Sequence, residues 1–149
     1  FTGRSYTNTE SGFSDCVLSL PYTVAAAISD RTFGPRQLAS QRISDPAIHE
    51  LAAKVRVHAD KEMDAVAPMD WPVLVDITLA GGRHVSRRLD RVIGCPNQPM
   101  TEDELSRKFM GNVEQAIGSE SAQRVLEACM DLESLGDISG LIGCLAPHR

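Results

Sequence analysis

The segment that most constrains the fold is a run of small apolar residues, PYTVAAAIS, at residues 21–29. Pro21 suits the first turn of a helix, where a missing N–H leaves no intrahelical hydrogen bond unmade. Residues 24–28 then leave almost no polar face, and such a helix is buried and closely approached by its neighbours. The pattern therefore predicts a core helix that opens with a proline and Tyr22.

Five further helices are predicted from start and stop signals. Gly34-Pro35 ends the first helix and starts the second, and the third has Asp45 as its N-cap and Pro46 at its first position. Thr101 and Glu104 form a capping box that begins a fourth helix, which ends at Gly118. Apolar spacing predicts the last two helices, at about residues 121–135 and 138–145.

Alternation of apolar residues predicts a β-hairpin between residues 73 and 92. Its first strand carries Val73, Val75, Ile77 and Leu79 on one face. A three-residue loop at positions 80–82, with Gly82 left-handed, keeps that face apolar because it pairs Ile77 with Val85 and Val73 with Leu89. A weaker alternation at residues 55–59 predicts a short third strand.

The order of these elements favours an α+β fold, with a small antiparallel sheet of about three strands and helices packed on one face. The 149 residues suffice for one domain with a hydrophobic core. We expect a polar, flexible lead-in over residues 1–15 and the folded domain over residues 16–149. The polar start at Phe1 suggests a piece of a longer protein.

Composition argues against several classes of function. The net charge of −5 and the pI near 5.3 do not favour polyanion binding. One local group of basic residues lacks the interleaved aromatic residues that stack on bases; it consists of Arg83, His84, Arg87, Arg88 and Arg91. No run approaches the roughly 20 apolar residues of a membrane span. Four dispersed cysteines indicate reduced thiols in a cytoplasmic protein, and four scattered histidines make no metal site. We therefore expect neither nucleic acid nor membrane as a partner.

Tyr22 is the one residue that invites a chemical interpretation. One interpretation is a ring buried for stability with the hydroxyl bonded to the backbone, as is usual for buried tyrosines. A helix N-terminus also favours a carboxylate ligand, to which the phenol can donate a hydrogen bond or proton. The residues alone favour the first interpretation over the second.

Two segments, SLPYTVAAAISD and GCPNQPMTEDELSRKF, together resemble the carboxy-terminal domain of the MmgE/PrpD family. Between them lie Asp45-Pro46 and the glycine-turn hairpin, in the order the family has them. The resemblance extends from about Cys16 to Leu145. It implies a cofactor-free lyase or isomerase, such as 2-methylcitrate dehydratase, that acts on di- or tricarboxylates and forms a homodimer.

The resemblance also implies that most of the catalytic apparatus lies elsewhere. Family members carry it in an N-terminal helical domain, which this sequence lacks, and the smaller domain covers the cleft as a lid. Tyr22 occupies the place of a family tyrosine that binds or protonates substrate, and Ser19 is a weaker substrate-binding candidate. We expect the isolated chain to be inactive. The alternative is a free-standing, non-catalytic binding or assembly module.

Overall fold

The computed structural model describes residues 12–66 and 70–145. The chain divides into two compact units. The helical unit comprises Phe1–Val57 and Ser106–Arg149, and the hairpin unit is His58–Leu105. Most of the predicted lead-in lies outside the described residues, but α1 (Phe13–Val17) begins ahead of the boundary predicted at residue 16.

The helical unit begins with α1 and continues through a series of short helices. These are α2 (Leu20–Asp30), a 3-10 helix (Pro35–Leu38), α3 (Ser40–Ile43) and α4 (Pro46–Ala52). Its later part contains most of α6 (Glu102–Ile117), then α7 (Ser119–Met130), a second 3-10 helix (Leu132–Ser134) and α8 (Ser139–Leu145).

Two predicted helix starts are confirmed by their hydrogen bonds. The carboxylate of Asp45 accepts from the backbone N–H of Ala47 at 2.9 Å and so caps α4. Thr101 and Glu104 form the reciprocal capping box of α6, in which Glu104 N donates to Thr101 Oγ1 at 3.3 Å and Thr101 N donates to Glu104 Oε2 at 2.9 Å.

The core of the helical unit is built around α2, as its lack of a polar face predicts. Ala25 and Ala26 are fully buried, and α2 packs against α4 through this small-residue surface. Because alanine side chains are short, the two helices approach closely. The core cluster consists of Cys16, Tyr22, Ala25, Ala26, Ile43, Ile48 and Ala52.

The end of α2 differs from the prediction that Gly34-Pro35 terminates it. The helix ends at Asp30, and Arg31 adopts a left-handed conformation with φ 58° and ψ 19°. Left-handed backbone at the residue after a helix is a common stop signal, although glycine usually supplies it. Gly34-Pro35 instead begins the 3-10 helix, which is followed by α3 in place of one continuous second helix.

The hairpin unit contains a short helix, α5 (Lys61–Asp64), and two antiparallel strands, β1 (Val73–Thr78) and β2 (His84–Leu89). The predicted register is confirmed, with Ile77 opposite Val85 and Val73 opposite Leu89. Gly82 has φ +77°, as the three-residue loop requires. None of the residues described between 58 and 105 is buried, and all six residues of β2 are exposed.

The predicted third strand at residues 55–59 is wrong, since β1 and β2 are the only strands in the described ranges. Local hydrogen bonds take its place, because Val55 N donates to Ala52 O at 3.0 Å and the Arg56 side chain bonds back to Ala53 O at 2.7 Å. These bonds extend the final turn of α4 where a strand was expected. The α+β class is confirmed, and the packing of helices on one face of the sheet stays a prediction.

Replacing Ile48 by alanine tests the core. Ile48 is 1% exposed, so the substitution leaves a cavity between α2 and α4. We expect the free energy of unfolding, measured by urea denaturation, to fall by about 3 kcal/mol. Ile142→Ala, at a residue 56% exposed on α8, is the matched control and should change it by less than about 0.5 kcal/mol. Equal losses in the two variants would contradict this assignment of the core.

The glycine pair at the hairpin tip provides a second test. A Cβ at Gly82 or Gly81 would meet no neighbouring atom within 4 Å, so only the positive φ of Gly82 distinguishes them. We expect Gly82→Ala to weaken the β1–β2 ladder by about 1 kcal/mol, and Gly81→Ala to have little effect. Amide hydrogen exchange of the strand residues measures this local stability. A loop of another geometry would give the two variants the same exchange rates.

Candidate functional site

Ser19 and Tyr22 lie together at the start of α2, as the sequence predicts. Ser19 is the N-cap, and its Oγ accepts a hydrogen bond from the backbone N–H of Tyr22 at 3.3 Å. It is 2% exposed, so this cap is enclosed within the helical unit. The geometry gives Ser19 a structural task, and its predicted contact with substrate stays a prediction.

Tyr22 is completely buried in the core. Its hydroxyl donates a hydrogen bond to the main-chain carbonyl oxygen of Gln37. Its ring meets Phe33 edge to face, with centroids 6.4 Å apart and an interplanar angle of 77°. Burial raises the pKa of the phenol, and neighbouring Cys16 raises it further. This is the geometry expected of a tyrosine buried for stability, while its substrate role stays a prediction.

The carbonyl that accepts the Tyr22 proton belongs to a polar clamp, which we define as Asp30, Gln37, Arg42 and Asp45. Gln37 Nε2 donates to Asp30 Oδ2 at 2.9 Å. Arg42 donates to both carboxylate oxygens of Asp30, through Nε at 3.1 Å and through Nη2. Its Nη1 donates to Asp45, the residue that caps α4. The clamp thereby joins the end of α2, the 3-10 helix, α3 and the start of α4.

The single positive charge of the polar clamp is compensated within it. The hydrogen bond from Gln37, with those from Arg42, holds the pKa of Asp30 below its usual range. Asp30 in turn raises the pKa of Arg42. Because two carboxylates already contact the single guanidinium, Arg42 has no uncompensated charge to offer a substrate carboxylate. The clamp therefore organises the surroundings of Tyr22 and is not itself an anion site.

The sequence analysis missed Asp30, Gln37 and Arg42 as members of this site. One signal was available, because Asp30 is the last residue of α2, where the helix dipole disfavours an anion. An aspartate in that position calls for a nearby cation, and Arg42 supplies it. Gln37 gave no comparable signal, since it acts partly through its backbone carbonyl.

A second group of charged residues lines a cavity of about 610 Å³ in the hairpin unit. Arg88 Nε donates to Asp90 Oδ1 at 2.6 Å, and the same carboxylate raises the pKa of Arg88. Arg91 Nε lies 3.4 Å from Asp70 Oδ1, without the geometry of a hydrogen bond. Each guanidinium thus faces a carboxylate, which leaves the cavity without a marked charge preference.

The described residues offer neither a metal site nor a membrane-spanning helix. They contain no cluster of three or more histidine, cysteine or carboxylate side chains suited to a metal ion. Cys16, Cys95, Cys129 and Cys144 are all free thiols. None of the helices described is both long enough and apolar enough to cross a bilayer.

The raised pKa of Tyr22 predicts how stability changes at alkaline pH. The folded-state pKa of Tyr22 lies above the ordinary value of 10.0. The contribution of the protonated phenol to the free energy of unfolding is therefore complete below pH 10 and is lost as pH rises through the folded-state pKa. We expect the free energy of unfolding of the natural chain to fall more steeply above pH 10 than that of Tyr22→Phe. Urea unfolding at a series of pH values measures both slopes, and parallel curves would contradict the buried phenol.

Comparison with known proteins places this site in a family. The chain matches the family described as the MmgE/PrpD C-terminal domain over residues 11–132, which include Tyr22 and the polar clamp. It is also similar to cis-aconitate decarboxylase from Mus musculus, with 25% identity over 126 residues, or 83% of this chain and 25% of that protein. The chain thus spans about a quarter of the length of this relative. The family match covers most of the sequence, and the chain therefore belongs to the MmgE/PrpD family, as its C-terminal domain.

Proposed function

We propose that this chain is the lid domain of a cofactor-independent lyase or isomerase that acts on di- or tricarboxylates. The family match carries the proposal, since it spans residues 11–132 and includes the start of α2. The similarity to a cis-aconitate decarboxylase is consistent with a tricarboxylate substrate. In this proposal the catalytic partner is an N-terminal helical domain, and the complete protein is a cytoplasmic homodimer.

The proposed reaction begins with removal of a proton next to a carboxylate. Loss of water, loss of carbon dioxide or reprotonation then gives a dehydratase, a decarboxylase or an epimerase. Tyr22 would bind a substrate carboxylate or donate a proton near it. In the described geometry the hydroxyl donates its hydrogen bond to the Gln37 carbonyl, so this role requires it to exchange that acceptor for a carboxylate oxygen of the substrate.

The proposal assigns no turnover to the chain by itself. Proton removal and proton donation need an acid–base pair, and one buried tyrosine does not provide two such groups. The polar clamp does not supply the second, because its carboxylates are already bonded to Arg42. The base must therefore come from the partner domain.

A second candidate is a free-standing binding or assembly module with the same fold. The burial of the Tyr22 hydroxyl favours this candidate, because a hydroxyl already bonded to Gln37 satisfies itself without any substrate. The two candidates differ in a single respect that can be measured. Only the first requires Tyr22 for a chemical reaction.

The deciding experiment expresses the full-length gene product and screens it against methylcitrate, citrate, cis-aconitate and iminodisuccinate. We expect turnover of one of these acids by the full-length protein, and none by the 149-residue chain. Tyr22→Phe should lower kcat by a factor of about 10² to 10⁴, the range typical of a lost general acid.

Tyr6→Phe is the matched control, because Tyr6 is the other tyrosine of the chain, and it should leave kcat unchanged. Full activity of the Tyr22→Phe variant would show that Tyr22 takes no part in the reaction. Inactivity of the full-length protein towards all four acids, or turnover by the isolated chain, would contradict the lid assignment.

A further inference from the structure

We infer that Arg42 is a positioning residue for Tyr22. It acts through Asp30 and Gln37, and it holds in place the carbonyl oxygen that accepts the hydrogen bond of the phenol. The inference rests on the proposed function, since that function assigns the same hydroxyl to the substrate. It adds a residue that neither the sequence analysis nor the family match identifies.

The first step is the connection from Tyr22 to Gln37. The acceptor of the phenol proton is a main-chain carbonyl, so its position is set by the backbone of the 3-10 helix. Gln37 fixes that backbone with its own side chain, because Oε1 accepts from Gly34 N at 3.0 Å while Nε2 donates to Asp30. The carbonyl therefore moves only if the side-chain bonds of Gln37 give way.

The second step is the connection from Gln37 to Arg42. Asp30 Oδ2 accepts from both Gln37 Nε2 and Arg42 Nε, so one carboxylate oxygen joins the two side chains. Arg42 Nη2 reaches the other oxygen of Asp30 and also Ser29 Oγ, the latter at 2.8 Å. Asp30 thereby has its orientation set by a two-pronged contact, which is more restrictive than a single hydrogen bond.

The third step explains why an arginine is needed. The third nitrogen of Arg42, Nη1, contacts Asp45 at the start of α4, so one planar group spans two helices. A lysine has a single nitrogen on a flexible stem and does not reproduce that fork. The Arg42, Asp30 and Asp45 side chains are each only about a quarter exposed, at 25%, 23% and 28%. Partial burial reduces the competition from water for these bonds.

We expect that breaking the contacts of the clamp weakens the hydrogen bond of the Tyr22 hydroxyl but leaves the core packed. The ring of Tyr22 contacts Phe33 and belongs to the buried cluster around Ala25 and Ala26, and none of these three neighbours is a member of the clamp. The hydroxyl direction, in contrast, is set by the hydrogen bond to the Gln37 carbonyl. Precise placement of a proton donor is what lets an enzyme use it without reorganisation during the reaction.

The test measures the hydroxyl directly. In the 149-residue chain labelled with ¹³C-tyrosine, the Tyr22 hydroxyl proton exchanges at a rate that NMR reads from the isotope shift of its ring carbon, and Tyr6→Phe assigns the signal. We expect Arg42→Met and Gln37→Met each to accelerate this exchange by about tenfold or more, because each removes side-chain hydrogen bonds that hold the main-chain carbonyl of residue 37 in place. Backbone amide exchange at Ala25 and Ala26 should stay within about twofold of the natural chain.

Arg36→Met is the matched control, since Arg36 belongs to the same 3-10 helix but pairs with Glu114 at 2.8 Å, outside the clamp. It should leave hydroxyl exchange unchanged. The inference is overturned if Arg42→Met leaves the rate unchanged, or if the Ala25 and Ala26 amides accelerate as much as the hydroxyl, which would indicate general loosening. Should Arg42→Met not fold, Arg42→Lys is measured against the same two criteria.

The measurement uses no substrate, so it separates this inference from the proposed function. Faster hydroxyl exchange in Arg42→Met, combined with full activity of Tyr22→Phe in the full-length protein, would support the positioning contact and reject the catalytic assignment. Unchanged hydroxyl exchange in Arg42→Met, combined with an inactive Tyr22→Phe variant of the full-length protein, would reject the positioning contact and support the catalytic assignment of Tyr22.

Discussion

The burial of the Tyr22 side chain, with its hydroxyl bonded to the Gln37 carbonyl, is the constraint around which the helical unit is arranged. A buried phenol without an acceptor would cost free energy, so the 3-10 helix must lie where its backbone meets the start of α2. That requirement fixes the return of the chain after α2. The alanine surface of α2 then remains available for α4, which packs on it.

The polar clamp adds specificity to this arrangement more than it adds affinity between helices. Partly buried ion pairs offset much of their attraction by the loss of hydration, so their net contribution to stability is modest. They do penalise wrong arrangements, because a displaced Asp30 would lose both Gln37 and Arg42 as partners. One guanidinium therefore defines how the end of α2 meets the cap of α4.

Sequence reasoning recovered the elements whose signals are local. The proline and alanine run gave the buried α2, the capping residues gave α4 and α6, and the glycine loop gave the hairpin register. It failed where long-range or backbone contacts decide. The third strand was replaced by local hydrogen bonds at Val55 and Arg56. The clamp was missed because side-chain contacts between separate short helices leave no periodic or capping pattern in the sequence. The position of Tyr22 was predicted, and a backbone acceptor was one of its two interpretations, but Gln37 was not identified as that acceptor.

The absence of buried side chains among the described residues of the hairpin unit has a consequence for its dynamics. The free energy needed to open a segment locally comes chiefly from its buried apolar contacts. A two-stranded hairpin without such burial is only marginally stable. Transient separation of β1 from β2 is therefore inexpensive relative to disruption of the α2–α4 core. Within one polypeptide, the helical unit thus resists opening, while the hairpin unit inserted in its sequence opens at low cost.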